Sequence, residues 1–218
     1  MKENSVIAID GPAASGKSTV SRCVAAALGA LYVDSGALYR AIAWKTLEVG
    51  ADPQDGERVA ALAGAVDMRF FVDGPAVGFS LDGRQLAAEL RTERVNQAVS
   101  AVAANPAVRQ QVTGWLRDMR SLGRLVMEGR DIGTAVFPTA TFKFYLDASP
   151  EVRAQRRHAE MTEVLSVDAV GASLNRRDQI DSKRKAAPLT MAADAVVVDS
   201  SGMGVDEVVA FVLARVKC

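Results

Sequence analysis

Cysteine, histidine and aromatic side chains are scarce in this chain. Of its 218 residues two are Cys and one is His, and aromatics make up 6%. Cys23 and Cys218 are lone thiols without metal-ligand spacing, so neither a disulfide framework nor a Cys/His metal centre is supported. Cys23 falls on the apolar side of a helical pattern and reads as core. His158, surrounded by arginines, reads as a solvated helix residue rather than a catalytic base. Excess charge is missing too: 26 Lys and Arg balance 26 Asp and Glu. That gives no support for general binding to nucleic acid or anionic membranes, both of which usually show a basic excess. No apolar run approaches the roughly 20 residues of a membrane span, and no signal-peptide core is visible at the N-terminus. A cytoplasmic protein of one domain with subdomains is expected from this length and composition.

What is present begins with residues 11–19, GPAASGKST, directly after a buried-strand pattern over residues 5–10. Gly11, Pro12, Ala13, Ala14, Ser15, Gly16, Lys17, Ser18 and Thr19 fit the pattern Gly, four residues, Gly, Lys, Ser/Thr. Gly11 and Gly16 permit backbone angles that let successive N–H groups turn inward around a phosphate. Lys17 supplies a mobile positive charge and the Ser18 hydroxyl can ligate Mg²⁺. A helix over residues 18–28, with Val20, Cys23, Val24, Ala27 and Leu28 on one side, aims its positive dipole end at the same anion. Strand, glycine-rich loop and helix together read as a nucleoside-triphosphate site.

Further along, residues 31–33 read as a strand ending in Asp34-Ser35-Gly36. Helices are predicted over 37–49 and from Asp52-Pro53 through Val59, Leu62 and Val66. Residues 67–72 and 77–81 form a small antiparallel insert around the turn Asp73-Gly74-Pro75, with 85–90 a third strand or a short helix. Helices follow at 92–104 and 106–122, strands at 125–128 and 141–146, and helices at 150–161 and 167–178. Residues 182–190 read as a basic loop, 195–198 as a buried strand, and 205–216 as a closing amphipathic helix. Strands alternating with helices imply an α/β fold with a mainly parallel sheet covered on both faces.

A phosphate loop alone does not separate kinases from GTPases or motors. No Asn-Lys-x-Asp stretch is present to read guanine, and no apolar run ending in Asp-Glu suggests an ATP-hydrolysing machine. Arginines instead gather at places that converge on strand ends. Arg40 follows the Asp34-Ser35-Gly36 turn, and Arg130-Asp131 lies just past a strand's C-terminal end, where open α/β sheets place ligands. Arg153, Arg156 and Arg157 share a helix face. Arg176, Arg177, Asp181 and Arg184 follow nearby. Surface charge explains most single arginines; grouped at loop positions in a chain of zero net charge, these point to a site for two anions.

The set GPAASGKST, DSGALYR (34–40), EGRDIGTAVFP (128–138) and RRDQIDSKRKAAPL (176–189) resembles bacterial cytidylate kinases in order and spacing. The likeness runs over nearly the whole chain, and the second pair of motifs is far more specific than the phosphate loop. It implies the nucleoside monophosphate kinase fold: a P-loop-type parallel five-stranded core (1–34, 105–149 and 191–218), a monophosphate-binding region with a small β insert (about 35–104), and a helical lid (about 150–190). By the same resemblance Arg40, Arg130 and Arg184 would hold the phosphate of CMP or dCMP, suited by their planar forks. Ser35, Ser100, Arg109 and Asp131 would read cytosine, whose N4 amino group a carboxylate can accept from. Arg177 and Asp181 would contact ribose, and Arg153, Arg156 and Arg157 would close over the ATP phosphates. Lys17, Arg130, Arg184 and Arg157 would be the catalytic charges, with ATP as co-substrate and Mg²⁺ at Ser18.

The acceptor implied is a phosphate oxygen already ionised at neutral pH, so no general base is needed. Positioning and charge neutralisation would carry the reaction. Another small P-loop kinase, adenylate- or shikimate-type, is the alternative enzyme, and a nucleotide-dependent regulatory module without transfer activity the alternative class. A monomer with small-molecule substrates, and neither nucleic acid nor membrane as partner, is expected.

Overall fold

The structure, a computed structural model, describes residues 5–161 and 165–216; Cys218 lies outside the described residues. Strand β1 (Val6–Asp10) is buried at every position. That burial is what a strand flanked on both sides within a covered sheet requires. It pairs in parallel with β5 (Leu125–Gly129) on one side and β6 (Phe142–Asp147) on the other. β2 (Leu31–Asp34) runs parallel to β5, and β7 (Val196–Asp199) parallel to β6. These five strands are the expected parallel core.

The β insert is less separate than the sequence suggests. β3 (Met68–Asp73) and β4 (Ala76–Leu81) pair antiparallel, as expected. They also extend the main sheet, to the order β3-β4-β2-β5-β1-β6-β7. The junction is a single parallel pair, Tyr32 with Ala76, where Tyr32 N donates to the Pro75 carbonyl at 2.9 Å. Residues 85–90 resolve to the helical alternative, a short 3₁₀ turn at Ala88–Arg91.

Helices cover both faces. On one, α2 (Ser35–Glu48), α3 (Gly56–Ala65), α4 (Glu93–Ala104) and α5 (Pro106–Asp118) bury Leu38, Ile42, Val59, Val102 and Leu116. On the other, α1 (Lys17–Leu28) and α8 (Val205–Val216) bury Val20, Val24, Val208 and Val212 against Ile7 and Ile9. A helical pair, α6 (Pro150–Glu160) and α7 (Val167–Lys183), lies over the phosphate loop.

Three expectations are corrected. Cys23 is exposed, not core. The buried stripe of α1 is Val20, Ser21, Val24 and Ala25, which turns Cys23 to solvent. Helix α3 starts at Gly56 rather than Asp52-Pro53, because Asp52 Oδ1 accepts from Gln54 N at 2.9 Å and folds that stretch into a turn. Asp55 then caps the helix, accepting from Arg58 N at 3.0 Å. Helix α7 runs past the expected end at residue 178 to Lys183, so Asp181 sits on the helix, and Ser182 and Lys183 belong to it rather than to the basic loop.

Candidate active site

The phosphate loop crosses the C-terminal end of the sheet between β1 and α1. Gly11 has φ of 150°, and a β carbon there would lie 2.0 Å from the Leu146 carbonyl oxygen. Close passage over β6 therefore requires glycine. Gly16 stands at the N-cap of α1 with φ of 90° and no side-chain cap. The first N–H groups of the helix are thus left for an anion. Lys17 is 5% exposed. Its Nζ donates to the Pro12 carbonyl and to Ser15 Oγ at 3.3 Å. Burial, with Arg130 adding repulsion, pushes this ammonium down to about 7, while Glu128, Asp178 and Asp10 draw it upward. An incoming triphosphate would supply the counter-charge the buried lysine lacks.

A cleft of about 470 Å³ runs from this loop to the ends of β2 and β5. Ala13 to Thr19 line it, together with Ser35, Arg40, Ser100, Arg109, Arg130, Asp131, Arg156, Arg157, Arg177, Asp181 and Arg184. Of the residues expected at the site, Gly11, Pro12 and Arg153 do not line it. Asp131 is 4% exposed and is flanked by two guanidinium groups. Arg109 donates to Oδ2, and Arg184 lies 3.5 Å from Oδ1. Arg109 is itself fixed: it donates to the Ala103 carbonyl at 3.2 Å and lies over the Tyr39 ring, 5.1 Å from its centroid. Asp181 accepts from Arg130 Nε at 3.2 Å and lies 3.6 Å from Arg184. Asp131 and Asp181 thus form an alternating chain of charges with Arg109, Arg184 and Arg130.

Other cations lack such partners. Arg40 is paired with Asp34 only at 3.7 Å. Arg177 Nε is buried with no hydrogen-bond partner among the described residues. Burial, then Arg130 and Arg40, push its guanidinium down to about 10. Arg130, Arg40 and Arg157 therefore each repel Arg177, with Asp181 offsetting only part of it, an arrangement that an anion would relieve. Ser100 is buried in the wall, while Ser35 Oγ donates to the Glu128 carbonyl at 2.7 Å.

The family model for cytidylate kinase matches residues 7–218. The chain belongs to the cytidylate kinase family. It is 47% identical to the cytidylate kinase of a Thermus thermophilus strain over 212 residues, covering 97% of this chain and 98% of that one. It is 44% identical to the cytidylate kinase of Pelotomaculum thermopropionicum over 215 residues, covering 97% and 95%. Its fold is like that of the solved shikimate kinase from Bacteroides thetaiotaomicron, with TM-score 0.50 over 98% of this chain and 99% of that one. At 13% identity that likeness speaks to the fold alone.

Within this family member the three arginines of α6 are engaged very differently. Arg153 is buried, pairs with Asp178, and donates to the carbonyls of Ala148 and Ala13 at 3.2 Å each. Arg156 donates to Ser200 Oγ at 2.9 Å and to the Ser200 carbonyl at 2.7 Å. Among the described residues Arg157 has only Glu160, one turn away at 3.3 Å.

Several residues escaped the sequence reading. Asp10 accepts from the N–H groups of Ile132 at 2.8 Å and Gly133 at 2.7 Å. It thereby holds a π-helical turn, Ile132–Val136, that follows Arg130-Asp131. Burial raises its carboxyl to about 6. Glu128, next to last in β5, accepts from the Tyr32 hydroxyl, and is raised by burial and by Asp34. Its place at a strand end facing Lys17 was a usable signal. Asp10 offered none, since its partners lie more than a hundred residues away.

No helix among the described residues is long and apolar enough to cross a membrane. Nor does any group of three or more His, Cys, Asp or Glu among them form a metal cage. Ser18 and Glu128 lie side by side at the phosphate loop as oxygen donors. That suits Mg²⁺, which takes one or two protein ligands together with phosphates and water.

Proposed function

We propose that the protein transfers the γ-phosphoryl group of ATP to CMP and dCMP, giving ADP and CDP or dCDP. Asp131 carries the reading. A buried carboxylate held between Arg109 and Arg184, at the far end of a cleft that begins at the phosphate loop, fits cytosine's N4 donor and opposes uracil's O4 acceptor. The hydroxyl of Ser100 adds a second polar contact to the base.

In this reading the Lys17 ammonium and the α1 N-terminus hold the β- and γ-phosphates. Arg40, Arg130 and Arg184 hold the acceptor phosphate, Asp181 accepts from ribose, and Arg177, beside Asp181 but repelled by Arg130, Arg40 and Arg157, serves phosphate as well as the sugar. Arg157, tied among the described residues only to an exposed glutamate, is the lid arginine free to swing onto the moving group. Mg²⁺, held at Ser18 with Glu128 behind it, would neutralise charge on the β- and γ-oxygens. An ionised oxygen of the acceptor phosphate attacks the γ-phosphorus as the bond to the β-bridging oxygen breaks. A phosphate monoester ionises near pH 6, so no proton need be removed. The chain supplies in-line placement, positive charge and exclusion of water. Residues 35–104 would move as the monophosphate-binding region and 150–190 as the lid.

An acceptor panel at saturating Mg-ATP tests this: CMP and dCMP should outpace UMP, AMP and shikimate. If AMP or a small alcohol is the best acceptor, the reading is refuted.

A further inference from the structure

One peptide of the phosphate loop is gripped from both sides. The Pro12 carbonyl accepts from Lys17 Nζ and, at 3.2 Å, from Ser15 Oγ. On the opposite edge of the same peptide, Ala13 N donates to Asp178 Oδ1 at 3.1 Å. The other oxygen of Asp178 accepts from Arg153, which also donates to the Ala13 carbonyl at 3.2 Å. Both backbone groups of Ala13 are therefore taken by one ion pair that joins α6 to α7. Val170 and Leu174, on the same face of α7 as Asp178, are buried against Ala13. Asp178 sits next to Arg177 and three residues before Asp181, both of which line the cleft toward Asp131.

We infer that Asp178 is a positioning residue that couples the triphosphate side of the site to the acceptor side. The inference rests on the phosphoryl-transfer reading above. Asp178 fixes the orientation of the 12–13 peptide and with it the carbonyl that seats Lys17. It also binds α7, the helix that presents Arg177 and Asp181, to the tip of the loop. Ordering the loop around a triphosphate then orders the acceptor face, and the reverse, so each substrate tightens the other. Asp178 touches no reacting atom in this scheme.

Substitution separates the parts. Asp178→Asn keeps an oxygen for Ala13 N–H; Asp178→Ala removes it and strands Arg153. Because an unpaired buried arginine endangers folding, Asp178→Leu combined with Arg153→Met replaces the pair by apolar side chains, an exchange often neutral for stability. Calorimetry would give the CMP dissociation constant with and without a non-hydrolysable ATP analogue and Mg²⁺, beside melting curves, kcat and KM. The unmodified protein should bind CMP at least about fivefold tighter with the analogue, at the lower end of typical couplings. Asp178→Asn should keep most of that ratio. The Leu/Met double variant should stay folded, lose the ratio to within about twofold of unity, and lose kcat about tenfold or more. A merely structural role would lower the melting temperature and leave the ratio alone. An unchanged ratio in the double variant, or no coupling in the unmodified protein, overturns the inference even if CMP is phosphorylated. Failure of the unmodified protein to phosphorylate CMP would instead overturn the function.

Discussion

Binding ATP should take up a proton, and Lys17 is the group that should take it. In the free protein this ammonium is buried, faces Arg130, and sits at about 7. A triphosphate brings several negative charges against it and restores the ordinary value near 10.5. Between those two values the complex holds a proton that the free protein has released. Linkage then gives an uptake of about 0.9 proton at pH 8 and about 0.1 at pH 6. Affinity should fall by nearly tenfold per pH unit above about pH 8, where phosphates are already fully ionised and contribute little. Folding of the empty protein runs the other way. The unfolded chain keeps this proton up to about pH 10.5 and the folded one does not, so this group makes stability rise with pH from about 7 to 10.5. Calorimetric titration with Mg-ATP in two buffers of different ionisation enthalpy reads the proton count directly. No uptake at pH 8 would refute the claim that the free lysine is held neutral.

Other outcomes can be checked independently. Asp131→Asn should erode the preference for CMP over UMP by about 5- to 150-fold in kcat/KM, the range of one good base contact, and should lower stability by leaving buried Arg109 without its counter-charge and Arg184 with Asp181 alone. Equal losses for both acceptors would remove Asp131 from base reading. Gly11→Ala should cost on the order of 4 kcal/mol, because its β carbon meets the Leu146 carbonyl, and a melting temperature lowered by about 10 °C would register it. Arg157→Met should lower kcat by about a hundredfold or more with melting unchanged, whereas Arg153→Met should chiefly destabilise by about 3 kcal/mol or more; kinetics beside melting curves separate them.

Much of the architecture was legible because strand, loop and helix signals agree locally. GPAASGKST needs its strand and helix at fixed places, and both stand within a residue of expectation. The α8 bounds, Val205–Val216, follow from apolar periodicity. What escaped depends on distant partners. The π-helical turn after Asp131 exists because Asp10, on another strand, receives two of its N–H groups. The edge hairpin joins the sheet through one residue pair, which leaves no periodic trace. Helix α7 continues through Asp181-Ser182-Lys183, where polar residues hide the end. Candidate binding residues were legible by type but not by commitment: Arg153, Arg156 and Arg157 share a helix face, yet only the fold reveals which is already spent on structure.

Asp10 constrains how this enzyme could be retargeted. The residue that ends β1 also precedes Gly11, so one carboxylate sets the height of the Arg130-Asp131 segment relative to the phosphate loop. A new acceptor cannot be admitted by sliding that segment, because the donor loop would shift with it. Redesign would have to exchange side chains at 100, 109 and 131 on an unmoved backbone, and libraries varying residues 10, 132 or 133 should yield inactive protein rather than altered preference.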